Sequence, residues 1–170
     1  VINGTNRNDR LTGTSGNDAI YGGAGNDTIT DTQGRNYLDG GDGNDRITGS
    51  GTLVGGKGND TLYANVAGSS DTIVFNRNDG KDTIVSLDTA TVTGQDTLVF
   101  GEGIRRSDLS YQRSGNNLII KVGNGSDQIT INNYFAGANY QTINTIKLAD
   151  GTSWNIQQTG FVFNGTDRND

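Results

Sequence analysis

From Gly4 onward the chain repeats itself every nine residues, as Gly4 to Thr12 (GTNRNDRLT), Gly13 to Tyr21 (GTSGNDAIY), Gly22 to Thr30 (GGAGNDTIT), Asp31 to Asp39 (DTQGRNYLD) and Gly40 to Thr48 (GGDGNDRIT). These five units stand in phase. The sixth, Gly49 to Val54 (GSGTLV), lacks three residues, the seventh, Gly55 to Tyr63 (GGKGNDTLY), is complete, and a longer stretch then reaches Asp71-Thr72-Ile73-Val74. Each unit opens with six residues rich in Gly, Asn and Asp, which turn easily. It closes with three residues whose aliphatic centre suits a short strand with one side chain facing inward. A chain with this period must stack turns rather than pack helices.

Composition narrows the possible chemistry. Of 170 residues, 27 are Gly, 21 Asn, 21 Thr and 18 Asp, against one Glu, and there is no His, Cys, Pro or Met. Asp favours turns where Glu favours helices, so the chain reads as all-β. Without His or Cys there is no Ser-His-Asp or Cys-His nucleophile, no imidazole or thiolate zinc site and no disulfide. A net charge of −6 argues against nucleic acid and anionic membranes as partners and for a cationic ligand. No stretch is apolar enough for a membrane span or signal peptide. A chain that begins at Val1 without Met reads as a piece of a longer one.

Written as GGxGxDxUx, with U a large aliphatic residue, the repeat resembles the calcium-binding repeats of the RTX (repeats-in-toxin, haemolysin-type) family. In that arrangement two units complete one coil of a right-handed parallel β-roll. Odd-numbered units stack Leu11, Ile29, Ile47 and Leu62 as one interior row, and even-numbered units stack Ile20, Leu38, Leu53 and Ile73 as the facing row. Such a core is one residue thick. It buries too little to offset an ordering entropy of about 1 to 2 kcal/mol per residue.

The resemblance implies Ca²⁺ between turns one coil apart, held by carbonyls and by two Asp carboxylates. The first such site takes Thr5, Arg7 and Asp9 with Gly22, Ala24 and Asp27; the second, Gly23, Gly25 and Asp27 with Gly40, Asp42 and Asp45. The third takes Gly41, Gly43 and Asp45 with Gly55, Lys57 and Asp60. A weaker even-numbered site joins Thr14, Gly16 and Asp18 to Asp31, Gln33 and Asn36, where Asn replaces Asp and Asp31-Thr32 replaces Gly-Gly. Metal is therefore expected mainly on the odd edge. A Gly-Asn-Asp turn alone signals only a strand end, but the row Asp9, Asp27, Asp45, Asp60 stacks like charges that repel without a cation between them.

After Ile73 the period dissolves into longer alternating strands, predicted at Thr72 to Phe75, Thr83 to Ser86, Thr97 to Phe100, Leu109 to Arg113, Leu118 to Val122, Gln128 to Asn132, Ile143 to Leu148 and Ser153 to Ile156. Ser114-Gly115-Asn116, Gly123-Asn124-Gly125 and Asp150-Gly151 read as hairpin turns. Short helical turns are expected only at Ile104 to Asp108 and Asn133 to Ala136. Gly94-Gln95-Asp96-Thr97-Leu98-Val99-Phe100, Ile104 to Leu109, Asn116-Asn117-Leu118, Asn133-Tyr134-Phe135 and Leu148-Ala149-Asp150-Gly151-Thr152 resemble the haemolysin-type calcium-binding related region that follows RTX arrays. The aromatics Tyr134, Phe135 and Trp154 are expected in its core. The division is then 1–74 roll, 75–160 capping flank and 161–170 the opening of another array, since Phe163 to Asp170 repeats Ile2 to Asp9 at six of eight positions.

The resemblance implies a non-enzymatic, calcium-binding folding module of a bacterial exoprotein, toxin or adhesin. Its chain would be disordered at low calcium, exported by type I secretion machinery, and folded outside the cell or at its surface. The competing reading is an adhesive or polysaccharide-binding module that uses a flat strand face with recurrent threonines, such as Thr28 and Thr30.

Overall fold

The computed structural model describes residues 1–64, 69–86, 95–137, 141 and 143–156. The array opening expected at 161–170 lies outside them. Fourteen strands follow one another: β1 (Ile2–Asn3), β2 (Arg10–Thr12), β3 (Ala19–Ala24), β4 (Thr28–Asp42), β5 (Arg46–Lys57), β6 (Thr61–Ala64), β7 (Thr72–Phe75), β8 (Lys81–Ser86), β9 (Asp96–Phe100), β10 (Leu109–Ser114), β11 (Asn117–Val122), β12 (Gln128–Ile131), β13 (Ile143–Leu148) and β14 (Ser153–Asn155). The 3-10 helix at Arg106–Asp108 is the one helical element among the described residues and falls inside the first predicted helical turn. Asn133 to Ala136 forms a turn closed by the Ala136 amide donating to the Asn133 carbonyl at 2.8 Å.

The strands make two parallel ladders that face each other across the core. On the odd side β2, the start of β4, the start of β5, β6, β8 and β12 pair in parallel, placing Leu11, Ile29, Ile47, Leu62, Ile84 and Ile131 in one register column. On the even side β1, β3, the ends of β4 and β5, β7, β9 and β13 align Ile2, Ile20, Leu38, Leu53, Ile73, Leu98 and Ile146. Both aliphatic rows expected from the repeats are present. β4 and β5 belong to both ladders, so the fourteen strands form one sheet folded over on itself, a parallel β-roll.

Period-two alternation explains the packing, because every inward side chain of a coil meets its equivalents above and below. From Ile20 to Leu62 the buried side chains of both columns are aliphatic, and aromatics join only later: Phe75 and Phe100 meet edge to face at 6.1 Å, and Tyr134 is 1% exposed. Phe135 and Trp154 are partly buried against the same core. The ladders run on past residue 74, where the nine-residue spacing ends. Only their last members reverse direction: β11 and β10 add antiparallel to β12, and β14 adds antiparallel to β13, through the three predicted hairpin turns. The two ends are drawn together where the Arg106 guanidinium stacks over Trp154, 4.7 Å from the ring centroid.

Candidate metal centre

The odd edge of the roll is a stack of turns between β-strands, and glycine is what lets the turns touch. Gly41 has φ of 99°, and a Cβ there would overlap the Gly23 carbonyl oxygen. The same approach recurs coil by coil. In the first gap the carbonyls of Thr5, Arg7 and Gly22 face glycines of the neighbouring turn; in the second those of Gly23, Gly25 and Gly40; in the third those of Gly41, Gly43 and Gly55. The expected carbonyls of Asp42 and Lys57 accept amides of the coil before, Gly25 and Gly43, both at 2.8 Å. Ala24 is placed beside them, its amide donating to the Thr5 carbonyl at 3.0 Å.

Two side-chain ladders of opposite direction tie these turns together. The Asp ladder reaches backward: the amides of Asp9, Asp27 and Asp45 each donate at 2.7 Å to Oδ1 of Asp27, Asp45 and Asp60 in the following coil. The Asn ladder reaches forward, with Oδ1 of Asn8, Asn26 and Asn44 accepting the amides of Asn26, Asn44 and Asn59 at 2.7 to 2.8 Å. The Asp row does not stop at Asp60. Its amide donates to Asp82 Oδ1 at 3.0 Å, so Asp82 is a fifth member.

One oxygen of each inner carboxylate is left over. Asp27, Asp45 and Asp60 are 1%, 2% and 1% exposed, and Oδ2 of each is buried with no hydrogen-bond partner. Burial pushes these carboxyls up, Asp45 to about 6 and Asp60 to about 7, and Asp82 to about 8, with neighbouring carboxylates of the row adding to the shift. Buried, unpartnered carboxylate oxygens are costly unless a cation compensates them. No three carboxylates converge among the described residues, so each gap offers a minority of carboxylate and a majority of carbonyl oxygen. Hard oxygen donors in a flexible ring, without nitrogen or sulfur, are the donor set of calcium. The residues fit the metal that the repeats imply.

The even edge is built differently. Asp18 Oδ2 accepts both the amide and the hydroxyl of Thr14 at 2.7 Å, hydrogen bonds that hold its carboxyl below the usual range, and its amide donates to Asn36 Oδ1 at 2.9 Å. The Gly16 carbonyl stands against Gly34. Asn36 donates to the carbonyls of Asp31 and Gln33, which the repeat pattern offered as ligands. Beyond Asn36 the side-chain row is broken at Gly51 and then resumes: Gly51 donates to Asp71 Oδ1, and Asp71 to Asp96 Oδ1, both at 2.8 Å. Within the nine-residue repeats the even edge is poor in carboxylates, as expected; beyond them it carries the buried Asp71 and, in the flank, Asp96. Asp82 and Asp96 were not singled out from spacing, but each opens the triplet Asp-Thr-aliphatic seen at Asp27-Thr28-Ile29 and Asp60-Thr61-Leu62.

Comparison with known families agrees with this geometry. The RTX calcium-binding nonapeptide repeat family (4 copies) matches residues 3–30, 21–52 and 48–66, and the haemolysin-type calcium binding protein related domain matches residues 117–158. The iron-regulated protein FrpA of Neisseria meningitidis serogroup C is 39% identical over 64 residues, which are 38% of this chain and 6% of that protein. The chain thus corresponds to a small part of that relative. The stacked turns of residues 3–66 are thus similar to RTX haemolysin-type calcium-binding repeats, and residues 117–158 to the haemolysin-type calcium binding protein related domain.

Proposed function

We propose that the chain is a calcium-dependent folding module of a secreted bacterial protein, with no catalytic role of its own. The observation that carries this reading is the column of buried, unpartnered Oδ2 atoms on Asp27, Asp45 and Asp60. In the folded roll these charges are stacked and desolvated, so the fold without counter-charge is penalised where the unfolded chain is not. Calcium held by Asp9, Asp27, Asp45 and Asp60 with the carbonyls between them supplies that counter-charge, and its binding free energy becomes folding free energy. A module of this kind suits a chain that leaves the cell unfolded through a type I secretion channel and folds where calcium is plentiful. The test is far-ultraviolet circular dichroism of the isolated chain against free calcium. A cooperative rise in strand signal with calcium, reversed by chelator, is expected; a signal indifferent to chelator overturns the proposal.

A second reading, an adhesive face for a polysaccharide, is favoured by one feature of the even ladder. Thr52, Thr72, Thr97 and Thr145 lie in adjacent register on its outer side, with Tyr37 beside Thr52. Tyr21 and Tyr37 are the most exposed large hydrophobic side chains after Val1 among the described residues, and their rings sit 5.7 Å apart. Replacing Thr72 and Thr97 by Lys should abolish binding to immobilised polysaccharide if this face is the contact. Unchanged binding removes the reading.

A further inference from the structure

The even edge carries a notch where the sixth unit is three residues short. In the ladder between the fourth and sixth units Asp31 pairs with Gly49 and the next pair is Asn36 with Gly51, so Thr32 to Arg35 stand opposite Ser50 alone. The longer turn therefore overhangs the shorter one. Gly51, with φ of 109°, makes the crossing possible, because a Cβ there would overlap the Asn36 backbone. Two hydrogen bonds fix the overhang: the Ser50 hydroxyl donates to the Gly34 carbonyl at 2.9 Å, and the Arg35 amide donates to Asn17 Oδ1 at 2.8 Å.

Beyond the short turn the chain returns through Ser69 to Asp71 and walls the notch from the other side, leaving a cavity of about 360 Å³, within the size range of small-molecule sites. Among the described residues no aliphatic or aromatic side chain lines it. Its one carboxylate is already committed: Asp71 Oδ1 accepts the Gly51 amide at 2.8 Å, and Oδ2 accepts the Ser69 hydroxyl at 2.9 Å. Its one cation is not. Arg35 is exposed and forms no ion pair among the described residues. Ser70 Oγ accepts the Gln95 amide at 3.3 Å, which leaves its proton for a ligand. A guanidinium beside hydroxyl groups repels a metal ion and suits a single carboxylate on a polyhydroxylated body. The cavity also adjoins the threonine row of the even face: Gly51 leads into Thr52 and Asp71 into Thr72, which are register partners, and Tyr37, two residues after Arg35, pairs with Thr52.

We infer that this notch is a binding site for an acidic sugar, a saccharide unit whose one carboxylate pairs with Arg35 and whose hydroxyls bond to the serines, Ser70 first among them. The site rests on the reading of the even face as a polysaccharide contact, and it names the kind of sugar that reading leaves open. It also assigns the three-residue deletion a role, since a sixth unit of full length would place its own turn where the cavity stands.

Backbone amide chemical shifts of the full chain at saturating calcium, titrated with N-acetylneuraminic acid, D-glucuronate and neutral D-glucose, test the site. At least one of the two acids should shift the amides of Arg35, Ser50 and Ser70 saturably, and glucose should not. Arg35→Gln, on an exposed turn, should keep the circular dichroism of the parent chain and weaken acid binding at least about tenfold, the effect of losing one charge-assisted hydrogen bond. Ser70→Trp, which fills the notch and keeps the charge, should show the same loss, and it decides if Arg35→Gln does not fold. No saturable shift with either acid, an equal response to glucose, or acid affinity unchanged in Arg35→Gln overturns the site. If no acid binds while polysaccharide binding still depends on Thr72 and Thr97, the face stands and the notch falls. If acid binds through Arg35 in a chain that holds no immobilised polysaccharide, the notch stands and the face falls.

Discussion

The two edges of the roll solve one problem by different means. On the odd edge every repeat coil breaks its strand at the Gly-Asn-Asp turn, and the turns are held by an unbroken Asp row from Asp9 to Asp82 and a parallel Asn row. On the even edge that row fails at Asn36 and Gly51, and there β4 and β5 run through the corner as continuous strands. Where charged side chains are stacked, the backbone is free to open toward a cation. Where they are missing, the strands continue through the corner with a shift of register between Asp31 and Asn36. The two edges of one parallel roll thus differ in how their corners are built, and the difference follows the residue at one position of the nine-residue repeat.

Exchanging single carboxylates between the edges is the strongest way to break this contrast. Asp45 borders two gaps of the odd edge, whereas Asp18 borders one gap of the even edge. Asp45→Ala should raise the calcium midpoint of folding by at least about tenfold, the range in which altered metal environments act, and Asp18→Ala should raise it less. Equal midpoints by circular dichroism would erase the distinction.

Acid offers a second, smaller lever, with a definite sign. Burial raises Asp45, Asp60 and Asp82 to about 6, 7 and 8, so the folded chain without calcium holds protons that the unfolded chain has already released. Deprotonation then penalises the fold as pH rises from about 4 to about 8, so in chelator the strand signal should grow on acidification through that window. Asp18 acts in the reverse sense, its contribution being lost as pH falls through its lowered value. Asp82→Asn should flatten the upper end of the profile; a calcium-free profile that instead gains strand signal from pH 5 to 8 would refute the assignment of the penalty to the odd row.

The smallest expected effect concerns the uncharged ladder and the closed end. Asn26→Ala removes one forward hydrogen bond of the odd edge and should cost about 0.5 to 1.5 kcal/mol at saturating calcium. Arg106→Ala removes the stacking on Trp154 and should cost about 0.5 to 1 kcal/mol. Thermal unfolding compares the two, and an Arg106→Ala loss well above that range would mean that the hairpin end, and not the edges, limits the stability of the roll.

Much of this molecule could be read from its residues because strand register is written in triplets. Leu53 and Ile73 were matched across the short sixth unit, and the three hairpins were signalled by Gly beside Asn, Asp or Ser. Asp82 and Asp96 escaped because the separation between equivalent Asp residues grows from 18 to 22 and 25 once the flank begins. Loop length varies freely between fixed strands, so a rule that counts residues fails where a rule that reads the Asp-Thr-aliphatic triplet still works.

Along the odd edge the opposed Asn and Asp ladders make the boundaries between repeat coils alike, each side offering what the other lacks. A protein organised this way can be lengthened or shortened by whole coils without redesigning any contact, as domains built from nearest-neighbour interfaces allow. Its size is thus an inheritable quantity that changes in steps of one coil.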